Sequence, residues 1–439
     1  MRVRFGAYEL DMERATLRKH GIALKLREQS IRVLVALVER PGELVSREEL
    51  RERLWNDGTF VDFEAGLNTA VSRLRDALND PAGAARYIET IPKRGYRFIE
   101  ARLQQDRPVS GSINSEAHTA YLQGHFLVKR HSPANSARAL RFFEQAIEAD
   151  PGYALPYHGA AVVYILDTLL GVLAPLDGMA RAESFLNQGL AIQEDSAMLQ
   201  NTLAMLRMFQ WRRQESEKAY RRAIDLEPSN PHPHMMYALH LSYSGRHEEA
   251  WKEARGALDT DPVDSMMNFR VVQAAYYARR FDEAIQSSRT AVDLAPEFHP
   301  PWSYLAMALL AAGHNEEAWS AAQKARELGC GLPFSEGQFA YVAGRLGNPA
   351  TARSVIENLT DRRSRGYGPA LPIAWAWLGL GDFDSGGRCL EIALHEHEPF
   401  LAGADVDPIY DPLRATPEFV RLVRRVGWAS GNGLSANRR

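Results

Sequence analysis

EAGLNTAVSRLRDALNDPAGAARYIETIPKRGYRFIE, residues 64–100, changes its hydrophobic period halfway, and this change decides how the N-terminal part of the chain is read. Leu67, Val71, Leu74 and Leu78 recur at i, i+4, i+7 and i+11, which predicts a helix over about Glu64–Leu78 with one apolar stripe. Thr69, Ser72, Arg73 and Asp76 fall on its opposite face. From Arg86 onward the residues turn β-branched and aromatic. RYIETIPKRGYRFIE then reads as two strands around Pro92-Lys93-Arg94-Gly95, a hairpin with a basic tip.

The flanking sequence completes a small domain. Ile31, Leu34, Val35 and Val38 share one helical face, and Pro41-Gly42 stops that helix. In PGELVSREELRERLW, residues 41–55, Ser46 and Glu49 have the spacing of a capping box ahead of Leu50 and Leu54. Before these helices, Val3, Phe5, Tyr8 and Leu10 alternate as short strands, and a turn at Lys19-His20-Gly21 precedes Ile22, Leu24 and Leu26. Short strands, three helices and a basic-tipped hairpin make an α+β winged helix-turn-helix over residues 1–103. Its third helix, held by one stripe, offers a polar face to a DNA major groove. The hairpin tip reaches phosphates or an adjacent minor groove.

Charge is distributed accordingly. The 439 residues carry 52 Lys/Arg against 55 Asp/Glu. Residues 1–103 hold 19 basic and 16 acidic groups, a net of +3, and the remainder is acidic at −6. A polyanionic partner is therefore expected at the N-terminal part. With 45% hydrophobic and 24% charged residues, the composition excludes collagen-like, wholly disordered and disulfide-scaffold classes. The two cysteines, Cys330 and Cys389, match no metal or disulfide spacing. The N-terminus has no apolar signal-peptide core, so a cytoplasmic location is expected. The apolar run 159–176 is broken by Asp167 and is read as part of a helical repeat rather than a membrane span.

PGELVSREELRERLW, GLNTAVSRLRDAL and RYIETIPKRGYRFI, in this order and spacing, resemble the OmpR/PhoB-type effector domain over roughly residues 2–101. The GLN that opens the third helix looks most like the CadC/ToxR-like branch. The resemblance implies that the third helix is the recognition helix, with Thr69, Ser72, Arg73 and Arg75 facing bases and phosphates. It implies further that Thr90, Lys93 and Arg94 contact the backbone near the wing. Members of the family bind direct-repeat half-sites of double-stranded DNA, often as head-to-tail dimers. Here Pro92 and Lys93 precede Arg94-Gly95, a departure that redistributes the usual wing contacts. No receiver domain is expected ahead of the winged helix.

Residues 104–113 are polar, contain Pro and Gly, and read as a linker. Beyond them the chain repeats. Small residues recur at Ala139, Ala182, Ser216, Ala250, Ala284, Ala318, Ala352 and Gly386, at one interval of 43 and six of 34. Others follow seven residues later, from Ala146 to Ala393. Gly245, Gly313, Gly347 and Gly381 stay in register as turn residues, and Pro151, Pro228, Pro262 and Pro296 end units. The pattern resembles the tetratricopeptide repeat, which implies an α-solenoid of about eight units over residues 114–398. The protein is thus expected to be mostly α. The nine extra residues of the long interval are read as a longer inter-helix segment, Leu169 to Asp177. Residues 399–427, with a short helix over Pro417–Val426, read as a capping segment, and 428–439 as a loose tail.

In such an array the second, fifth, ninth and twelfth positions of each first helix face inward. Counted back from the small residues, they include Met198, Met205, Met208, Met235, Leu239, Met266, Phe269, Tyr276, Met307 and Tyr341. Asn201 and Gln273 also fall there, but no lysine does in repeats three to seven, so an acidic peptide tail is not the expected ligand. An apolar or amphipathic helix is, since Met adapts to varied apolar partners. No P-loop, GxSxG or HExxH motif occurs, so an enzyme is not expected. His395-Glu396-His397-Glu398 diverge around a helix end, His232 and His234 flank prolines, and no metal or cofactor is read from them. The expected function is transcriptional regulation, with DNA bound by residues 1–103 and sensing or protein docking by the repeats. The alternative is a repeat scaffold whose winged helix docks protein.

Overall fold

The computed structural model describes residues 2–428 apart from 7, 13–14, 20–21, 25, 55–62, 82–84, 100–103, 106–113 and 129–132. The chain divides into two compact units, Met1–Ser112 and Ile113–Arg439.

In the first unit, β1 (Arg2–Phe5), β2 (Tyr8–Asp11), β3 (Thr16–Lys19) and β4 (Ile22–Ala23) form an antiparallel meander. Then come α1 (Glu28–Val38), β5 (Leu44–Ser46), α2 (Arg47–Leu54), α3 (Phe63–Leu78), β6 (Ile88–Ile91) and β7 (Gly95–Phe98). β8 (Gln104–Gln105) returns to pair with β1, so the stretch read as linker begins inside the sheet. The sheet orders are β4-β3-β2-β1-β8 and β5-β7-β6. Phe5 joins the two sheets, meeting Phe98 edge-on at 5.1 Å and Tyr87 at 5.4 Å. Edge-on aromatic pairs of this kind add to the area they bury.

The second unit is built of paired helices. They are α4 (Ser115–Val128) with α5 (Pro133–Ala149), α6 (Ala154–Leu169) with α7 (Pro175–Ile192), α8 (Ala197–Phe209) with α9 (Arg213–Leu226), and α10 (Pro231–Tyr243) with α11 (His247–Leu258). α12 (Ser265–Tyr277) pairs with α13 (Phe281–Leu294), α14 (His299–Ala311) with α15 (Asn315–Gly329), α16 (Pro333–Arg345) with α17 (Pro349–Arg365), and α18 (Leu371–Gly379) with α19 (Phe383–His395). The periodic small residues lie where the two helices of a pair cross, and all are buried. A Cβ at Gly386 would come within 2.8 Å of the Leu378 side chain, which explains the glycine there. Side-chain caps start several helices: Ser196 accepts from Leu199 N, Asp264 from Met267 N, and Asp382 from Ser385 N.

Most of the nine extra residues lengthen helices rather than a loop. α6 has 16 residues and α7 has 18, where α8 and α9 have 13 and 14. The apolar run 159–176 is therefore mainly helix of the second pair, and its Asp167 accepts a hydrogen bond from Ser136 at 2.8 Å. The short turn after α6 makes a long-range contact. Gly171, at φ +74, sits so close to Pro369 and Pro333 that a Cβ would lie 3.0 Å from the former. The second pair thus touches the seventh and eighth, and the array closes on itself. Among the described residues no helix is long and apolar enough to cross a membrane.

The capping segment does more than cover the last pair. Two 3₁₀ turns, Pro399–Gly403 and Pro408–Leu413, and α20 (Pro417–Val426) follow α19. His397 stacks on Trp211 at 4.7 Å, and Phe400 meets Phe209 and Phe334. Gly403 lies against Tyr243, and Asp407 accepts from Tyr276 at 3.4 Å. Asp411 holds Arg279 through two bonds of 2.5 Å, and Tyr410 accepts from Trp375 Nε1 at 2.7 Å. These partners belong to the first helices α8, α10, α12, α16 and α18 or to the turns after them. The segment therefore fills the inner face of the array.

Two expectations change as a result. Residue 428 is not tail: Trp428 is 1% exposed, its ring edge-on to His240 at 5.3 Å. The inner-face residues are not an open groove either. Met208, Met235, Leu239, Phe269, Tyr276, Met307 and Tyr341 are buried and Met205 is half-buried, while Met198 and Met266 are exposed at 42% and 38%. Large side chains at inner positions pack on one another and beneath the C-terminal segment.

Trp428→Ala should cost roughly 3–5 kcal/mol of stability, read as a fall in the calorimetric midpoint of the full chain; a wild-type midpoint would return residue 428 to the tail. Glu398 gives a pH-dependent check. It is wholly buried and accepts from the backbone N–H of Ala370 and Leu371. Burial pushes its carboxyl up to about 7, aided by Glu396 and opposed by those bonds and Arg363. The folded state keeps this proton longer than the unfolded state does. The site's stabilisation is therefore full below about 4.5 and is lost as pH rises through 7. Glu398→Gln should gain on wild type by about 3 kcal/mol between pH 4.5 and 8 in urea titrations, and a constant difference would contradict this.

Candidate nucleic-acid interface

The site rests on how α3 is anchored. Leu67, Val71, Leu74 and Leu78 are buried against the core of the first unit, together with Ala70. Thr69, Ser72, Arg73 and Asp76 are exposed, as the spacing predicts, and α3 begins one residue before the expected start. The preceding helix begins at the predicted box: Ser46 N donates to Glu49 at 2.8 Å, and Glu49 N donates to Ser46 Oγ at 3.1 Å. A bond from Arg40, together with these from Ser46, holds the Glu49 carboxyl down at about 2. Trp55, expected near the end of that helix, lies outside the described residues.

The wing is the hairpin β6–β7. Lys93 and Arg94 are exposed at its tip, and neither side chain has a partner among the described residues; the same is true of Arg73. Lys93 has φ +62. Gly95 has φ +156, and a Cβ there would stand 2.1 Å from the carbonyl oxygen of Val45. Only glycine lets β7 approach β5 this closely. β5 itself is a three-residue strand that periodicity does not reveal.

Two side chains lock the wing to α3. Asp80 is buried just past the helix and accepts the backbone N–H groups of Arg86, Tyr87 and Ile88 at 2.5, 3.2 and 2.8 Å. Arg75 donates to the Ile88 carbonyl at 2.7 Å and to Thr90 Oγ1 at 2.8 Å. Arg75 and Thr90, two of the expected DNA contacts, engage each other, so Arg75 also positions the wing, and both line the cleft between helix and wing. Thr69, Ser72, Arg73, Thr90, Lys93 and Arg94 are on the exposed surface.

Sequence reasoning passes over Arg47, the first residue of α2. Its guanidinium bonds Glu64 and Asn68, donates to Tyr96 OH at 3.3 Å and lies over the Tyr96 ring at 5.3 Å. It thereby ties α2 to α3 and to β7. Its place directly after the Ser46 cap is the signal that marks it. Arg47, Asn68, Ser72, Arg75, Thr90 and Tyr96 line a cleft of ≈ 500 Å³ between helix and wing.

The sequence's candidate metal residues are engaged elsewhere. Glu396 pairs with Arg363, His397 stacks on Trp211, Glu398 caps α18, and His234 bonds Glu253 at 2.6 Å. Among the described residues, no cluster of three or more His, Cys, Asp or Glu could hold a metal ion.

A helix with an exposed polar face beside a basic-tipped hairpin defines a winged helix-turn-helix. Residues 21–98 match the family described as "Transcriptional regulatory protein, C terminal". The chain is 36% identical over 95 residues to the cholera toxin transcriptional activator of Vibrio cholerae, covering 22% of this chain and 32% of that one. It is 34% identical over 92 residues to the cholera toxin homolog transcriptional activator of Vibrio parahaemolyticus, covering 21% and 31%. With the transcriptional activator CadC of Escherichia coli the identity is 26% over 157 residues, covering 32% and 30%. The chain thus spans about a third of the length of these relatives. The N-terminal unit is an OmpR/PhoB-type winged-helix DNA-binding domain of the CadC/ToxR-like branch, fused to an all-α region of paired helical repeats.

Proposed function

We propose that the protein is a sequence-specific, non-enzymatic transcriptional regulator acting in the cytoplasm. The N-terminal domain reads double-stranded DNA, and the helical array, built of tetratricopeptide repeats, serves as its sensor. The observation that carries this reading is the exposed surface of α3 and the wing, where Thr69, Ser72 and Arg73 stand beside Lys93 and Arg94 and the three cations have no partner among the described residues. In this reading α3 enters the major groove and the wing tip rests on phosphates. The 34-residue spacing of buried small residues supports the repeat assignment. With the inner face filled by residues 397–428, a small effector suits the array better than an extended peptide or a docked helix.

The test is a salt-titrated gel shift of the full chain on DNA from its own upstream region; absence of any sequence-specific shift would favour the protein-docking scaffold. Arg73→Ala should weaken operator binding by roughly 1–3 kcal/mol and random-DNA binding much less. Equal losses on both would reduce Arg73 to a phosphate contact. The double variant Lys93→Ala/Arg94→Ala should weaken binding to all sequences and lower the log–log salt slope by about one to two. An unchanged slope would remove the wing tip from the interface.

A further inference from the structure

Arg270 lies on α12 in the middle of the filled inner face, and it is only 6% exposed. Its neighbours are neutral. Nη1 donates to Gln273 Oε1, and Nη2 lies 3.5 Å from Met236 Sδ and 3.7 Å from Met266 Sδ. The guanidinium sits over the Phe269 ring at 5.7 Å. Nε has no acceptor, and among the described residues no carboxylate stands within ion-pair distance.

Thioethers are weak acceptors, so this buried cation has one good oxygen partner and no counter-charge. Arg207 shows the ordinary solution: nearly as buried, it pairs with Glu183 at 2.6 Å and with Glu215. An isolated buried guanidinium is costly and is stabilised by an anion that completes its fork. The surroundings are fixed to receive one. Gln273 Nε2 donates to Tyr304 OH at 2.9 Å, and Tyr304 OH bonds Tyr277 OH at 2.7 Å, which holds the amide with its oxygen toward Arg270. The Tyr220 hydroxyl, within electrostatic reach of Arg270, also lacks a partner. Met266, 38% exposed, is the cover on the solvent side, and an unbranched thioether moves aside readily.

We propose that Arg270 anchors a site for a small organic acid, its carboxylate completing the guanidinium fork and its apolar body lying against Met236, Met266 and Phe269. A peptide does not fit this description, because the chain's own residues 397–428 occupy the face along which a peptide would run. A single cation beneath an apolar cover suits one carboxylate on a compact body. Arg270 falls one position after Phe269 and so escapes a count of the four inward positions. The assignment names the effector class for the sensor reading and depends on that reading for its regulatory meaning, not for binding.

The test uses the full chain in thermal melts. The probes are straight-chain carboxylates of four to ten carbons and 4-phenylbutyrate, each beside its matched alcohol. At saturation, at least one carboxylate should raise the midpoint by about 3 °C or more, and its alcohol should not. Arg270→Met should leave the midpoint of the free protein equal or higher, since it removes an unpaired charge, and should abolish the carboxylate shift. Arg270→Lys should retain part of it. If Arg270→Met does not fold, Met266→Trp at the exposed cover supplies the contrast, losing the shift with the charge intact. No stabilisation of wild type by any carboxylate overturns the proposal, as does equal stabilisation by the alcohols or of Arg270→Met. Gel shifts on the same samples separate the two readings. Stabilisation without operator binding defeats the DNA assignment alone, and operator binding without stabilisation defeats the site alone.

Discussion

One buried carboxylate sets the geometry of the surface that α3 and the wing share. Asp80 gathers three consecutive backbone N–H groups at the start of the wing, just after α3 ends. Bonds from backbone N–H to a charged acceptor are among the stronger ones, and a buried one is costly to break. Arg75 adds a second tie to the same strand, and Arg47 ties α2 into the arrangement through Asn68 and Tyr96. Arg73 on the helix and Lys93 with Arg94 on the hairpin therefore belong to one rigid surface. Arg75 contributes through Nη2, which bonds Ile88 and Thr90 and so fixes the guanidinium at the cleft between helix and wing.

The array shows a similar exchange of local ease for a long-range contact. The turn between the helices of a pair needs a left-handed residue, and Gly245, Gly313, Gly347 and Gly381 supply it at intervals of 68, 34 and 34 residues. At the same register stand Trp211 and Arg279, with φ of +63 and +61. Each such residue costs on the order of 1–2 kcal/mol in that conformation. Both are the residues that grip the C-terminal segment, Trp211 by stacking on His397 and Arg279 by donating two hydrogen bonds to Asp411. Glycine is absent at those turns because a side chain is needed there.

These examples mark what the sequence discloses. The third helix, the hairpin, the Ser46–Glu49 box, the helix pairs and even the span of α20 follow from local periodicity and capping, which act over a few residues. β5 and β8 do not, because strands of two or three residues are defined by their partners. The turning of Arg75 toward Ile88 was equally hidden, since a helical wheel places it beside the DNA-facing groups without showing the strand that meets it. The filling of the inner face depends on contacts such as Tyr276 with Asp407, 131 residues apart. A repeat pattern describes how neighbouring units stack; it carries no information about a later segment folding back along them.

The same limit applies to charge, and the structure explains what the net values only hint at. Arginines on the array are largely neutralised between successive helix pairs: Arg222 with Asp195, Arg246 with Glu217, Arg280 with Glu248 and Arg289 with Glu317. Exposed pairs of this kind add little stability. Their effect is on recognition, since a guanidinium already matched to a carboxylate offers little to a phosphate. In the first unit Arg40, Arg47, Arg53 and Arg97 are paired in the same way, while Arg73, Lys93 and Arg94 stand exposed and unmatched among the described residues. The pairing of cations across the repeats thus lowers what much of the array offers to a polyanion, while exposed cations such as Arg138, Arg141 and Lys218 stay outside those pairs.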